Sequence, residues 1–210
     1  MAAPTARNVQ RGIETRNAIL QSAADLFSAR GYDTVTMREI AGHAGCSHTA
    51  IYLYFKDKES LLEAIVFPAL EELRGKLLAI TEGSGPGVEE RLLLMGHEII
   101  DFGLTHRNLH RVFFSTRASR VDVPQEEGSL NHARVAIFAM LSRLCGEVLG
   151  FPPEDSRTLA AGRIYFFMLY GIISTYEENT ETTKALKQRL GATFDLALRS
   201  CISGLKGAIQ

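Results

Sequence analysis

At 210 residues the chain can hold one larger domain, or a small domain and a medium one, and 46% hydrophobic residues suffice for a packed core. A formal net charge of −1 excludes a whole-molecule attraction to nucleic acid, so any such contact must come from a local patch. Cys46, Cys145 and Cys201 are odd in number and far apart, which argues against a disulfide framework and for a reducing, cytoplasmic compartment.

The first sixteen residues carry Arg7, Arg11 and Arg16 without the apolar run of a secretory signal, and residues 1–14 read as a flexible basic arm. Over 18–32, Ile19, Ala23, Leu26 and Phe27 share one face at helical spacing; Gly31 followed by Tyr32 predicts a left-handed C-terminal stop with its hydrophobic contact. The next helix opens at 36-TMRE-39, the pattern of a capping box, with Met37, Ile40, Ala41 and Ala44 on its apolar face. Gly45 stops that helix and Ser47 caps another after a turn of a few residues, which makes a helix-turn-helix pattern. Asp57 can cap a fourth helix, Lys58 to about Leu78, with a kink at Pro68.

After the loop 81-TEGSGPG-87, periodicity predicts helices over about 88–105, 108–115, 129–149, 155–176 and 183–205, and no strand. The fold class is therefore all-α, with a helix-turn-helix domain over 1–57 and a second helical domain over 58–210. The longest uncharged apolar stretch, 164-IYFFMLYGIIST-175, falls short of the roughly 20 residues of a membrane span, so a buried helix is expected and no membrane partner.

In the helix opened by Ser47, Ile51 and Phe55 are four apart and face inward, which leaves His48, Thr49 and Tyr52 outside. Short polar and imidazole groups on an outward first turn suit base edges in a major groove, while the phenols of Tyr52 and Tyr54 suit phosphate oxygens. Lys58 lies in the first turn of a helix, where a cation opposes the macrodipole unless an anion such as a DNA phosphate sits there. Thr36 and Arg38 are candidates for further phosphates.

The succession 19-ILQSAADLFSARGYDTVTMREIAGHAGCSHTAIYLYFKDKESLL-62 resembles the DNA-binding domain of TetR-family transcriptional regulators. Shared features are Phe-x-x-x-Gly-Tyr, then Thr-x-x-x-Ile-Ala-x-x-Ala-Gly, then Tyr-x-Tyr-Phe-x-x-Lys-x-x-Leu; Cys46 stands where valine is usual. By that resemblance Arg38, His48, Thr49, Tyr52, Tyr54 and Lys58 approach DNA and Ser47 caps the recognition helix.

The resemblance also implies a homodimer on double-stranded operator DNA, released by a small effector through a shift of the Lys58 helix. It further implies a helical effector-binding and dimerisation domain, whose last two helices form a four-helix bundle across a two-fold axis. Candidate dimer residues there are Ile164, Met168, Ile172, Leu190, Phe194 and Leu198. Aromatic density makes Phe102, His106, Phe113, Phe114, Phe138, Phe167 and Tyr170 candidates for an apolar or aromatic effector.

No cofactor motif is present. The alternative is a helical metal-dependent enzyme using 97-HEIIDFGLTHRNLH-110, where His97 and Asp101, and His106 and His110, are four apart. That segment lacks the second histidine of the zinc-protease signature. A third possibility is a helical adaptor that uses the dimer bundle alone.

Overall fold

The computed structural model describes residues 6–83, 85–107 and 130–209. Among them every regular element is an α-helix: α1 (Ala6–Arg30), α2 (Met37–His43), α3 (His48–Ile51), α4 (Lys58–Glu82), α5 (Val88–Thr105), α6 (Leu130–Leu149), α7 (Ser156–Thr175) and α8 (Thr183–Ala208). The helix expected over 108–115 lies outside the described residues, as do Phe113 and Phe114. The chain divides into two compact units, Met1–Pro68 and Ala69–Gln210.

In the first unit α1 starts earlier than the sequence suggested, and residues 6–14 are helical rather than a flexible arm. Gln10 donates to Glu14 at 3.2 Å, a side-chain pair at the i,i+4 spacing that supports an exposed helix, and the Thr15 hydroxyl satisfies itself on the Arg11 carbonyl at 2.9 Å. The helix ends as predicted: Gly31 has φ +80°, where a side chain would be strained, and Tyr32 folds back until its ring lies 5.2 Å from that of Phe27.

Both members of the capping box of α2 are formed. Thr36 Oγ1 accepts from the Glu39 N–H at 3.3 Å, and the Glu39 carboxylate accepts from the Thr36 N–H at 2.9 Å. Gly45, at φ +72°, turns the chain, and the Cys46 N–H closes the turn on the Ala41 carbonyl at 3.0 Å. Ile19, Ala23, Val35, Ile40, Ile51, Phe55, Leu61 and Val66 are buried as the core of this unit. Each of the larger side chains among them contributes about 1.5–3 kcal/mol on burial, and the methyl of Ala23 less. Cys46 is half-buried.

In the second unit α8 lays its apolar stripe against α5 and α7. Leu186, Phe194, Leu198, Ile202 and Leu205 are buried with Leu92, Met95, Ile100, Tyr165 and Leu169. Close approach depends on small residues: a Cβ on Gly96 would meet Leu198 and the Tyr165 hydroxyl at 2.6 Å, and one on Gly162 would meet Ser142 Oγ at 2.1 Å. The Tyr165 hydroxyl donates to the Leu92 carbonyl at 3.1 Å, and burial raises its pKa.

Helix α7 has the length and composition of a membrane span. Thr158, Ala161, Gly162, Tyr165, Leu169 and Ile173 along it are nonetheless buried within the unit. Burial pushes the Cys145 thiol up to about 12, with the nearby Cys201 adding to the effect, which makes Cys145 a poor nucleophile.

Candidate DNA-reading face and effector cavity

The face that carries the sequence argument is built by α2, the Gly45 turn and α3. Ser47 Oγ accepts from the Ala50 N–H at 3.1 Å and so fixes the start of α3. Ile51 and Phe55 anchor the helix from behind at 0% and 5% exposure. His48 and Thr49 are consequently exposed, and Tyr52 is 46% exposed. The His48 and Tyr52 rings meet edge to face at 5.3 Å, which holds both on one outward ridge. Arg38 is exposed on α2, whereas Tyr54 is half-buried. Thr36 is exposed, but its hydroxyl is already engaged, donating to Glu39 at 2.8 Å as well as accepting from it.

Two residues that the sequence reading passed over sit at the same end: Lys56, exposed, and Leu53, 84% exposed. The signal for Lys56 was its place between Phe55 and Asp57, just past the buried anchor. Arg16 lies over the Phe55 ring at 5.2 Å, a packing position rather than a free arm.

Lys58 differs from the expectation. Its ammonium does not stand free at the surface; it donates to the backbone carbonyls of Tyr32 and Val35 at 2.7 and 2.9 Å, with Asp33 O at 3.4 Å.

In the second unit a cavity of about 290 Å³ opens between α4 and α5, lined by Ala69, Glu72, Leu73, Lys76, Glu98, Asp101, Phe102, Thr105 and His106. Phe102 and His106 meet here, their rings 4.9 Å apart. Burial lowers the His106 pKa, the carboxylate of Glu72 works against that, and Lys76 adds to it. Lys76 pairs with Glu72 at 3.0 Å and approaches Glu98 at 3.9 Å, while Asp101 accepts from Lys187. The lining is thus largely charged and polar, which aromatic counting missed. Its signal was the α4 spacing Ala69, Glu72, Leu73, Lys76.

The remaining aromatic candidates go elsewhere. Phe138 is buried and meets Phe166 at 6.0 Å, and Phe166 stacks on Tyr170 at 6.2 Å. Tyr170 and Phe167 are 41% and 64% exposed and do not line this cavity. The proposed dimer set also divides. Phe194 and Leu198 are buried in the chain's own core, because the stripe of α8 is needed against α5. Met168, Ile172 and Leu190 are partly buried against that core, and Ile164 is 45% exposed.

The metal reading finds no support. His97 meets Asp195 at 3.2 Å, Asp101 is taken by Lys187, and His110 lies outside the described residues. Among the described residues no three His, Cys, Asp or Glu side chains gather into a metal-binding group.

Comparison with known proteins places this geometry. Residues 19–65 match the family of bacterial regulatory proteins, tetR family. The transcriptional repressor KstR2 of Mycolicibacterium smegmatis is 32% identical over 113 residues, covering 52% of this chain and 53% of KstR2. The repressor BepR of Brucella suis is 40% identical over 60 residues, covering 29% of each chain. The matches with KstR2 and the next two curated relatives span about half of those relatives' lengths.

Among solved structures, a TetR/AcrR-family regulator from Thermobifida fusca superposes with a TM-score of 0.57 at 22% identity, over 93% of this chain and 98% of that one. FadR of Bacillus subtilis, solved with stearoyl-CoA, superposes with a TM-score of 0.62 at 17% identity, over 92% and 98%. The segment 19–65 that carries the helix-turn-helix is thus similar to the tetR family of bacterial regulatory proteins, and nearly the whole chain shares the fold of TetR-family regulators of known structure.

Proposed function

We propose that the protein is a cytoplasmic, homodimeric, ligand-responsive repressor that leaves a pseudo-palindromic operator when a small molecule binds. The first unit reads DNA, and the second binds the effector and pairs with a second copy. The observation that carries the reading is the ridge of His48, Thr49 and Tyr52 on a Ser47-capped helix whose other side is anchored by Ile51 and Phe55.

In this reading His48 and Thr49 meet base edges, and Arg38, Tyr52 and Lys56 meet phosphates, with Tyr54 and Thr36 supporting them. Two such ridges related by a dyad would enter successive major grooves about 34 Å apart. The outward side of α7, where Ile164, Phe167 and Tyr170 are exposed, is the face that a second copy would cover.

For the effector, the largely charged and polar cavity beside Phe102 and His106 supports a polar molecule that sets an aromatic part against those two rings and brings a hydrogen-bond donor to Glu98. An acyl-CoA such as the one in the Bacillus subtilis protein would bring phosphates toward carboxylates there, which counts against it at this site. Effector binding shifts the equilibrium only as far as it prefers the non-binding state.

The test is selection of a preferred site from a random 30-bp duplex library by the full chain at low salt, followed by competition with scrambled DNA. Enrichment of a two-fold symmetric site is expected. Failure to prefer any sequence would overturn the reading.

A further inference from the structure

The surroundings of Lys58 do not resemble those of a phosphate ligand. An ammonium has three donors, and here they are directed at the carbonyls of Tyr32, Asp33 and Val35, 2.7, 3.4 and 2.9 Å away. The same nitrogen lies 4.2 Å from the centroid of the Tyr32 ring. These carbonyls form the turn that ends α1 at Gly31 and leads to Thr36, the cap of α2. The neighbourhood is also acidic: Glu59, Asp33, Asp57 and Glu63 all act on Tyr32. A phosphate approaching Lys58 would have to compete with those carbonyls for its N–H groups.

The topology gives those bonds a purpose. Residues 36–57 contain the whole of α2, the Gly45 turn and α3, and the chain enters them at Val35 and leaves them at Asp57. The bond from Lys58 to Val35 O therefore ties the exit of the helix-turn-helix to its entrance. A cation in the first turn of α4 opposes the helix macrodipole, and the carbonyls of the α1–α2 turn offset that cost. Asp57 and Ser60 exchange backbone–side-chain bonds next to it, 2.7 Å from the Ser60 N–H to Asp57 Oδ1 and 3.2 Å from the Asp57 N–H to Ser60 Oγ, which fixes the turn from which Lys58 projects.

We propose that Lys58 is a positioning residue for operator recognition: its ammonium clasps the two ends of the helix-turn-helix and sets the angle at which His48, Thr49 and Tyr52 meet the groove, without itself contacting DNA. This rests on the DNA-reading function above. It differs from a phosphate contact in a measurable way. A lost phosphate contact weakens all sequences alike and lowers the log–log salt slope by about 0.9. A lost clasp tilts the reading ridge, so it removes preference and leaves the slope alone.

The experiment uses the full chain as wild type, Lys58→Met and Lys58→Gln, with the duplex that the wild type selects and a scrambled duplex of equal composition. Affinities are read by fluorescence anisotropy across a potassium chloride series, and urea unfolding shows which proteins are folded under the assay conditions. Lys58→Met is expected to bind the selected duplex at least tenfold more weakly, with unchanged scrambled binding and unchanged slope. Lys58→Gln, which keeps N–H donors without the charge, should fall between the two.

Equal weakening on both duplexes with a slope reduced by about 0.9 per lost contact would overturn the proposal, as would full preference in a destabilised but folded variant. Should Lys58→Met not fold, the slope of Lys58→Gln decides by the same criterion. Absence of any selected duplex for the wild type would instead overturn the DNA-reading function itself, and this inference with it.

Discussion

The two units use their apolar residues in opposite ways. In Met1–Pro68 short helices are held by caps and a small core, and what matters points outward: His48, Thr49 and Tyr52 are exposed because Ile51 and Phe55 are not. In Ala69–Gln210 long helices are held by interlocking at glycines, and the strongest stripe, on α8, is consumed internally against Tyr165 and Leu92. The lesson is that a regular apolar stripe reports that a helix is covered, not what covers it. Read by periodicity, Phe194 and Leu198 were as good a dimer seam as a core, and their burial at 5% and 0% decides for the core.

The contrast can be broken most severely at Leu198. Leu198→Ala should destabilise the folded chain by about 3 kcal/mol through lost burial and a cavity, read as a lowered urea midpoint at constant m-value. If the residue instead served the dimer, the loss would vary with protein concentration. Phe167→Ser gives the converse. Its side chain is 64% exposed, so unfolding of the dissociated chain should change little while the dimer–monomer midpoint in sedimentation moves to higher concentration.

Gly162→Ala tests the interlocking itself. The new Cβ would stand 2.1 Å from Ser142 Oγ and 2.9 Å from its Cα, and since backbone cannot yield as a side-chain tip can, a loss of about 1–3 kcal/mol is expected. In the first unit Ser47→Ala removes the cap of α3 and should lower stability by about 1 kcal/mol, with a larger proportional loss of sequence preference than of random-DNA binding. Thermal melts and anisotropy read the two effects separately.

The smallest effect is electrostatic. Hydrogen bonds from the Thr36 hydroxyl and N–H, then the contact with Arg30, hold the Glu39 carboxyl down at about 2 against an ordinary 4.5. A depressed folded-state pKa means that its contribution is complete above about 4.5 and disappears as pH falls through about 2. The difference in thermal midpoint between wild type and Glu39→Gln should therefore be constant above pH 5 and shrink steadily toward pH 2. A difference that stayed level across that range would show that the carboxylate form is not what caps α2.

Much of the first unit was readable from residues alone because its determinants are local. A capping box needs Thr36 and Glu39 three apart, a left-handed stop needs Gly31 or Gly45, and four-residue spacing separates Ile51 and Phe55 from the ridge opposite. Even there, locality failed for Lys58. Its partners, Tyr32 and Val35, are more than twenty residues away, and one-dimensional spacing offered only a helix start that wanted an anion. The cavity was less legible still. Phe102 and His106 were found by their aromatic character, but Glu72, Lys76, Glu98 and Asp101 line it because α4 and α5 run side by side.

By itself, then, the sequence determined the all-helical class, the helix ends and the outward ridge near residue 50, since each follows from backbone hydrogen bonding and side-chain period within a few residues. Tertiary structure alone decided that α8 serves its own core, that Phe167 and Tyr170 lie outside it, and that the ammonium of Lys58 closes on carbonyls. Those outcomes depend on which surfaces are brought within van der Waals or hydrogen-bond reach, and that is a property of how helices pack, which spacing along one helix does not encode.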